Sequence, residues 1–581
     1  MCGLFGKANF SVSQLGKCQD ALETLHHRGP DQSGEFYDDF VYMGHKRLSI
    51  LDLSDSGKQP MCLPDNEIVC SVNGEIYNFK QLKNELLDKG AQFASQSDSE
   101  VVLQGYKFWG IDGLLLRLEG MFAFVIYDLK KGEIFLARDK VGIKPLYYSL
   151  IDEELVWSSE LKGIQKYYSD SGKLVKDNSA LYDFLTYQYI PPPKTMYQEV
   201  FKLEAGYLVS YNIEFKQKKM VAYWNIDLSS VGSLKLTAKE AEIFLKEKIK
   251  SSVRDQLVSD VPIGLFLSGG IDSSVLVAEA TTLRSKINTF SIGFDDPSRD
   301  ESNFAAIVSS LFKTDHSLKI VSEEHSKLSI DNQVAWFDEP FGDLSSFPTE
   351  ELCRFAREKF KVVLSGDGGD ELFCGYPRYL LFTNYESNYK FSFKSLINNR
   401  LVSNLTGRFG AFFRSLKVKH FLKGVECYAY LVGVPDERLR AKFRSTLGIP
   451  DGYDDYWYFK KHYKKDLPPI TRVQYLDFKT YLPEFILTKV DRASMVNSLE
   501  CRVPFLNSEI VNWVFSLQEE IRIGVNEQKA RLKGAYTGIL PDLILHRKKS
   551  GFGLPKNLLD VLSSGGVNKT VNESILEMLM P

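Results

Sequence analysis

Residues 261–283 read VPIGLFLSGGIDSSVLVAEATTL: an apolar run, a Ser-Gly-Gly turn and a second apolar run. The first run has the length and flanks of a buried strand, and from Ile271 onward the apolar residues recur at helical spacing. The stretch therefore reads as strand, tight turn, helix. Gly269 and Gly270 follow Ser268 and allow a close backbone approach, while Asp272 and Ser273 fall in the first helical turn. Unpaired N–H groups at such a helix start favour an anion, so a phosphate belongs at this turn. The Gly-Lys-Ser/Thr ending of a Walker loop is absent, as is the third glycine of a dinucleotide fingerprint. The competing reading is a glycine-rich turn that opens an ordinary α/β helix.

A second stretch, residues 362–376, reads VVLSGDGGDELFCGY and repeats the design of an apolar strand feeding a Ser-Gly turn. In an open α/β sheet, ligands collect beyond the carboxyl ends of the strands, so two such ends can face one ligand. The first turn resembles the SGGxDS pyrophosphate loop of the ATP pyrophosphatases, which split ATP between its α and β phosphates. Together the two turns resemble the asparagine synthetase family. That resemblance implies that Asp272 and Asp370 hold Mg2+ and pyrophosphate, a role that suits hard oxygen ligands. It also implies that Phe266, Ser268, Gly269, Gly270, Ser273, Ile292 (in FSIGF), Ser365 and Gly366 line ATP. Further along, KVDRASMVNSLECRVPFLN (489–507) looks like the family's signature segment. Lys549, in RKKSGFGLP, matches the lysine that neutralises the developing phosphate charge. Arg547 and Lys548 beside it read equally as a solvated basic patch.

Two departures fall on the acceptor side. Where the better-studied synthetases carry Ser-Gly-Glu-Gly-Ser-Asp-Glu, residues 365–371 are SGDGGDE, so the carboxylate acting at the adenylate is Asp367, one methylene shorter. The phenylalanine usually followed by Ser-Asp-Gly here begins Phe552-Gly553-Leu554-Pro555. ATP use survives these changes, whereas aspartate specificity is left open. Similar variants resemble synthetase-like enzymes of bacterial polysaccharide clusters that amidate sugar uronic acids.

At 581 residues the chain exceeds one core of usual size, which predicts two or three domains. A hydrophobic fraction of 44% and a charged fraction of 25% are those of a soluble globular protein. The formal net charge of −3 argues against nucleic acid as the main partner. No stretch has the length of a membrane span and no basic leader opens the sequence, so a cytoplasmic location is expected. The eight cysteines form neither a disulfide framework nor a CxxC pattern.

The first two hundred or so residues alternate short β-type runs with few helical patterns, the helices falling at 15–26, 78–89 and 99–108. This is an α+β sheet domain rather than a βαβ one, expected over 1–215. A polar linker follows around 229–237 (SSVGSLKLT). From 238 to 581 the chain is helix-rich around the two strand-turn-helix units, consistent with a doubly wound α/β domain that ends in helices. Between 387 and 424 it carries eight Lys/Arg and no Asp or Glu, interleaved with phenylalanines. This segment reads either as a solvated helical hairpin or as a receiver of an anionic acceptor.

Cys2 stands directly behind the initiator Met1. Removal of that methionine gives a thiol and a free α-amine on one residue, the amine serving as base for the nucleophile. Taken alone, an early cysteine is more often a buried or incidental residue. Its surroundings decide otherwise: MCGLFG, HHRGPD (26–31), HKRLSILD (45–52), VNGEIYN (72–78), SDSE (97–100) and RDKVGIKPLYY (138–148) resemble the class II glutamine amidotransferases throughout the first third. The resemblance implies that the Asn73 side chain and the Gly74 N–H form an oxyanion hole. It implies further that Arg47 pairs with the glutamine carboxylate, and Glu75 with Asp98 holds its ammonium. Plainer readings stand beside these: Arg47 as a surface ion pair, Asn73-Gly74 as a hairpin turn, and Asp98 as a helix N-cap.

The two resemblances imply an N-terminal nucleophile (Ntn) hydrolase sandwich followed by an ATP-pyrophosphatase domain. The implied reaction joins ATP, a carboxylic acid and glutamine to give an amide, AMP, pyrophosphate and glutamate, with ATP and Mg2+ as cofactors. The expected partners are small molecules, with a homodimer left open. Aspartate is the leading acceptor and a sugar uronate its rival. Enzymes making glucosamine phosphate or phosphoribosylamine share the N-terminal half but do not carry SGGIDSS. A sensor with decayed catalysis would lack Cys2, Asp272 or Asp370, and all three are present.

Overall fold

The strand Cys2–Ala8 is buried along its whole length, which follows from its place in the middle of a sheet covered on both faces. The structure is a computed structural model and describes residues 2–63, 67–297, 300–321, 330–387, 423–433, 437–524, 527–547 and 575–576. One six-stranded sheet runs Val200–Lys202, Tyr147–Ile151, Glu154–Ser158, Cys2–Ala8, Val41–Arg47, Gln32–Tyr37. A second runs Gln217–Ala222, Tyr207–Asn212, Glu133–Arg138, Gly120–Asp128, Ile68–Ile76, Met61–Cys62. Neighbouring strands pair antiparallel in both. Leu4, Met43 and Trp157 of the first sheet meet Val125, Leu136 and Val209 of the second in one apolar layer. Outside that layer, helices Leu15–Glu23, Leu161–Tyr168 and Asn178–Tyr187 cover the first sheet. Helices Phe79–Asp88 and Ser99–Arg117 cover the second. The result is the α/β/β/α sandwich of an Ntn hydrolase.

Three local differences from the sequence expectation have physical causes. The helix expected to end at 108 runs to Arg117, broken where Gly110 adopts φ +67°, a conformation glycine tolerates without a Cβ penalty. The helix expected over 15–26 ends at Glu23, and a tighter turn His26–Arg28 follows. Strand Gln217–Ala222 pairs with Tyr207–Asn212, so the second sheet continues past residue 215. The polar linker is pinned, because Leu234 donates to the Ser516 carbonyl at 2.9 Å.

The carboxyl-terminal half holds a five-stranded parallel sheet ordered Asp315–Val321, Asn288–Phe294, Ile263–Phe266, Val362–Leu364, Glu500–Arg502. The chain winds outward from Ile263–Phe266 in one direction and then restarts on its other side with Val362–Leu364. These two strands therefore flank the topological switch point, where α/β sheets open a crevice. Both Ser-Gly turns leave from their carboxyl ends. Helix Ile271–Leu283 is buried on nearly every side, which explains its almost wholly apolar sequence. Helices, including Ser508–Ser516 and Ala530–Tyr536, follow the last strand. Among the described residues, no helix is long and apolar enough to cross a membrane.

Candidate active site

Cys2 opens its strand directly opposite Arg47. Asn73 and Gly74 lie inside strand Ile68–Ile76 of the facing sheet, which replaces the hairpin-turn reading. Asn73 bridges the two sheets: its Oδ1 accepts from the Cys2 backbone nitrogen at 2.8 Å. The Nδ2 of the same side chain is buried and meets no hydrogen-bond partner among the described residues. Such an orphaned donor costs about 1–3 kcal/mol, and an oxyanion developing beside Cys2 would offset that cost. Burial pushes the Cys2 thiol up, opposed by the Leu48 N–H and the positive Arg47.

Arg47 is buried, not a surface ion pair. Its guanidinium donates to the carbonyls of Leu51 and Asp52 at 2.8 and 2.7 Å and to Gln32 Oε1 at 2.7 Å, all uncharged oxygens. Gly57 leaves it room, since a Cβ there would come within 2.3 Å of Nη2. The charge is thus oriented by neutral groups and retains its attraction for a carboxylate. On the other side of the pocket, Asp98 makes no capping bond to its helix and accepts instead from the Ile76 N–H at 2.7 Å. Burial lifts Asp98 to about 6. Burial, then Asp98 and Glu500, hold the Glu75 carboxyl well above the usual range, against the pull of Arg502. Three buried acids around one guanidinium favour a further cation. Glu500 and Arg502 belong to strand Glu500–Arg502, so the carboxyl-terminal half supplies part of this wall.

The second site is a cavity of about 720 Å3 at the switch point of the parallel sheet. Phe266, Ser268, Gly270, Asp272, Ser273, Ile292, Ser365, Gly366, Asp367 and Asp370 all line it. Gly269 does not line it. With φ +68° it turns the loop behind the cavity, where a Cβ would come within 2.5 Å of the Ala305 backbone. In the Ser-Gly-Gly turn, Ser274 Oγ donates to the Gly270 carbonyl at 2.7 Å and Gly270 N donates to Ser268 Oγ at 3.2 Å, fixing the helix start. Ser365 Oγ donates to Asp367 at 2.5 Å.

Asp272 and Asp370 converge on one cation, the ammonium of Lys529, which pairs with Asp272 and lies 2.6 Å from Asp370 Oδ1. A position where two carboxylates already share a positive charge fits Mg2+, which commonly takes one or two carboxylates and completes its shell with phosphates and water. Lys529 carries no motif in the sequence, and its partner Asp272 is 257 residues away. Lys549, the Phe552 motif and seven of the eight basic residues of 387–424 lie outside the described residues.

Helix Thr488–Met495 separates the two sites, and its charged side chains are buried. Lys489 faces the cavity, 3.1 Å from Ser345 Oγ and 3.5 Å from Asp343 Oδ2. Asp491 faces the other way and receives Arg28 at 2.8 and 3.2 Å, while Arg28 Nε donates to the Cys2 carbonyl at 3.0 Å. Burying such charges is tolerable only because each is paired. A π-helical turn, Leu482–Leu487, leads into this helix, a feature frequent at functional sites. Lys489, Asp491, Glu500 and Arg502 all fall in the run 489–507, whose charges inside an apolar pattern were the available signal.

Residues 245–576 match the asparagine synthase family model and residues 1–224 that of the glutamine amidotransferase domain. The chain is 31% identical over 576 residues to asparagine synthetase (glutamine-hydrolyzing) 1 of Bacillus subtilis, covering 96% of this chain and 87% of that one. It is 35% identical over 545 residues to a putative asparagine synthetase (glutamine-hydrolyzing) 2 of Methanocaldococcus jannaschii, covering 87% and 100%. A further relative, the amidase chry2 of Gibberella zeae, is 26% identical and covers 98% and 89%.

Proposed function

The chain belongs to the asparagine synthase family and is a glutamine-dependent, synthase-type amidotransferase; from that premise we propose that its acceptor is aspartate, amidated to asparagine with release of AMP, pyrophosphate and glutamate. The observation that carries the acceptor reading is the Lys489–Asp343 pair, which lines the cavity alongside Asp367. A free amino acid brings both a carboxylate and an ammonium beside the reacting carboxyl, and an opposed lysine and aspartate answer both charges.

In the amino-terminal site, the Cys2 sulfur attacks the glutamine amide carbon, with the α-amine of the processed chain taking the thiol proton. Asn73 Nδ2 and the Gly74 N–H stabilise the resulting oxyanion. Collapse expels ammonia and leaves a thioester, which water hydrolyses to glutamate and free thiol. Arg47 holds the substrate carboxylate, and Glu75 with Asp98 holds its ammonium.

In the cavity, the acceptor carboxylate attacks the α-phosphorus of ATP and pyrophosphate leaves, giving an acyl adenylate. Ser268, Gly270 and Ser273 cradle the leaving phosphates with N–H and hydroxyl donors. Phe266 and Ile292 give the nucleoside an apolar wall. Mg2+ held by Asp272 and Asp370 would neutralise charge on the leaving group. Lys529 adds a fixed ammonium at the same place, and Lys549 is assigned a like role by family resemblance. Asp367 receives a proton as ammonia attacks the acyl carbon and AMP departs.

A sugar uronate is the second reading. It is favoured by the shorter Asp367 in place of the family's glutamate. Pyrophosphate release measured against a panel of carboxylates decides between them. Activity with aspartate supports the first reading, and activity confined to uronic acids rejects it.

A further inference from the structure

Arg502 touches both sites, once with its side chain and once with its backbone. Its Nη2 lies 3.3 Å from Glu75 Oε1 in the glutamine pocket, an approach that closes no hydrogen bond. The rest of the guanidinium is firmly held: Nε donates to Glu500 at 2.6 Å, and Nη1 donates to the carbonyls of Gln256 and Val258, each at 2.7 Å. The backbone carbonyl of Arg502 accepts the Ser365 N–H at 2.8 Å, where its strand pairs with Val362–Leu364. Ser365 in turn holds Asp367 through its hydroxyl at 2.5 Å. One residue therefore separates the acid that faces glutamine from the loop that faces ATP.

We propose that Arg502 is a positioning residue that couples occupancy of the glutamine site to the 365–371 loop of the ATP site. This rests on the assignment of Glu75 to the glutamine ammonium. Coupling requires a contact that differs between the empty and filled states. Here that contact is Glu75 with Arg502. The Arg502 guanidinium stands between two of the buried acids, Glu75 at 3.3 Å and Glu500 at 2.6 Å. An incoming ammonium claims Glu75 and Asp98, leaving Arg502 to Glu500 on its own strand. The change is passed on directly, because the strand's hydrogen bond to Ser365 starts at the Arg502 carbonyl. Arginine suits this role because its planar fork serves three directions at once, which a lysine ammonium on a flexible stem does not.

The test uses full-length Cys2→Ala protein, which binds glutamine without consuming it. Glutamine binding is measured first by calorimetry. Then ATP affinity and amide hydrogen exchange over residues 362–371 are measured with and without saturating glutamine. We expect ATP affinity to change by about 5-fold or more, the lower end of typical coupling, together with altered exchange in that segment. By linkage, ATP must change glutamine affinity by the same factor. In the Cys2→Ala, Arg502→Lys protein both ligands still bind, but the factor falls to one. Bound glutamine that leaves ATP affinity and exchange untouched overturns the proposal, as does coupling that persists with lysine. Should the lysine variant not fold, Cys2→Ala, Arg502→Gln is read in its place, with the same expected loss of coupling. Absence of any glutamine binding defeats the glutaminase reading itself, and the coupling with it.

Discussion

The Cys2 backbone nitrogen donates to Asn73 Oδ1 at 2.8 Å, while the buried Asn73 Nδ2 meets no partner among the described residues. On the proposed mechanism, one amide would both position the nucleophile and supply a donor to the oxyanion. Asn73→Ala is expected to lower kcat for glutamine hydrolysis by about 10²–10³, the usual loss for one oxyanion donor. Cys2→Ala should abolish it, with ammonia-dependent synthesis largely kept in both. Steady-state assays with glutamine and with ammonium chloride check this. Glutamine hydrolysis at the normal rate in Cys2→Ala removes the nucleophile assignment.

Asp98 gives the pocket a pH dependence. Its carboxyl holds a proton up to about 6 when folded, against an ordinary value of 3.8. Between those values the folded state binds more protons than the unfolded one, so this group's contribution to stability declines as pH rises through the window. Glutamine binding has the opposite need, because only the ionised carboxylate attracts an ammonium. The kcat/KM for glutamine, which reports the free enzyme, should therefore rise with pH through an inflection near 6. A profile without an inflection there contradicts the assignment.

Asp272→Asn and Asp370→Asn are each expected to eliminate ATP–pyrophosphate exchange and to leave glutamine hydrolysis in place. Chelating divalent cations should do the same, since the charge of the leaving pyrophosphate is then unneutralised. Radiolabelled pyrophosphate exchange measures the loss. Production of ADP in place of AMP rules out the pyrophosphate-loop reading.

Both reactive loops were legible in the sequence because each is local: a strand, a Ser-Gly turn and a helix start lie within about a dozen residues. Asp272 and Asp370 could be named through the family resemblance those turns carry, and Cys2 and Asn73 through the motifs MCGLFG and VNGEIYN of the first third. Lys529 could not, since its partners lie 257 residues back at Asp272 and also at Asp370, and a lone lysine has no pattern. Arg28 and Asp491, 463 residues apart, were hidden for the same reason. The passage from an α+β sheet domain to an α/β one was readable from the change in pattern near residue 238, while the Ntn sandwich was legible only through the family resemblance of the first third. The break at Gly110 was not, because one glycine inside a helical pattern is compatible with a continuous helix.

Asp343 separates the two acceptor readings. Asp343→Asn removes the charge that would face an amino acid's ammonium, so KM for aspartate should rise by about tenfold or more, the scale of one lost charge-assisted hydrogen bond. A uronic acid has no ammonium, and its KM should be unaffected. Unaltered kinetics with aspartate in this variant exclude Asp343 as its recognition group.

The central claim is that one chain cleaves glutamine at Cys2 and delivers the nitrogen to an acyl adenylate at the Asp272–Asp370 cavity. Its most direct test supplies glutamine labelled with heavy nitrogen in its amide, together with ATP, Mg2+ and aspartate and no added ammonium, at near-neutral pH. Product isotope, AMP and glutamate are then measured in the same reaction. The expected result is labelled asparagine, with AMP and glutamate formed in equal amounts to it. Unlabelled product, or glutamate formed without carboxylate-dependent AMP, would contradict the claim.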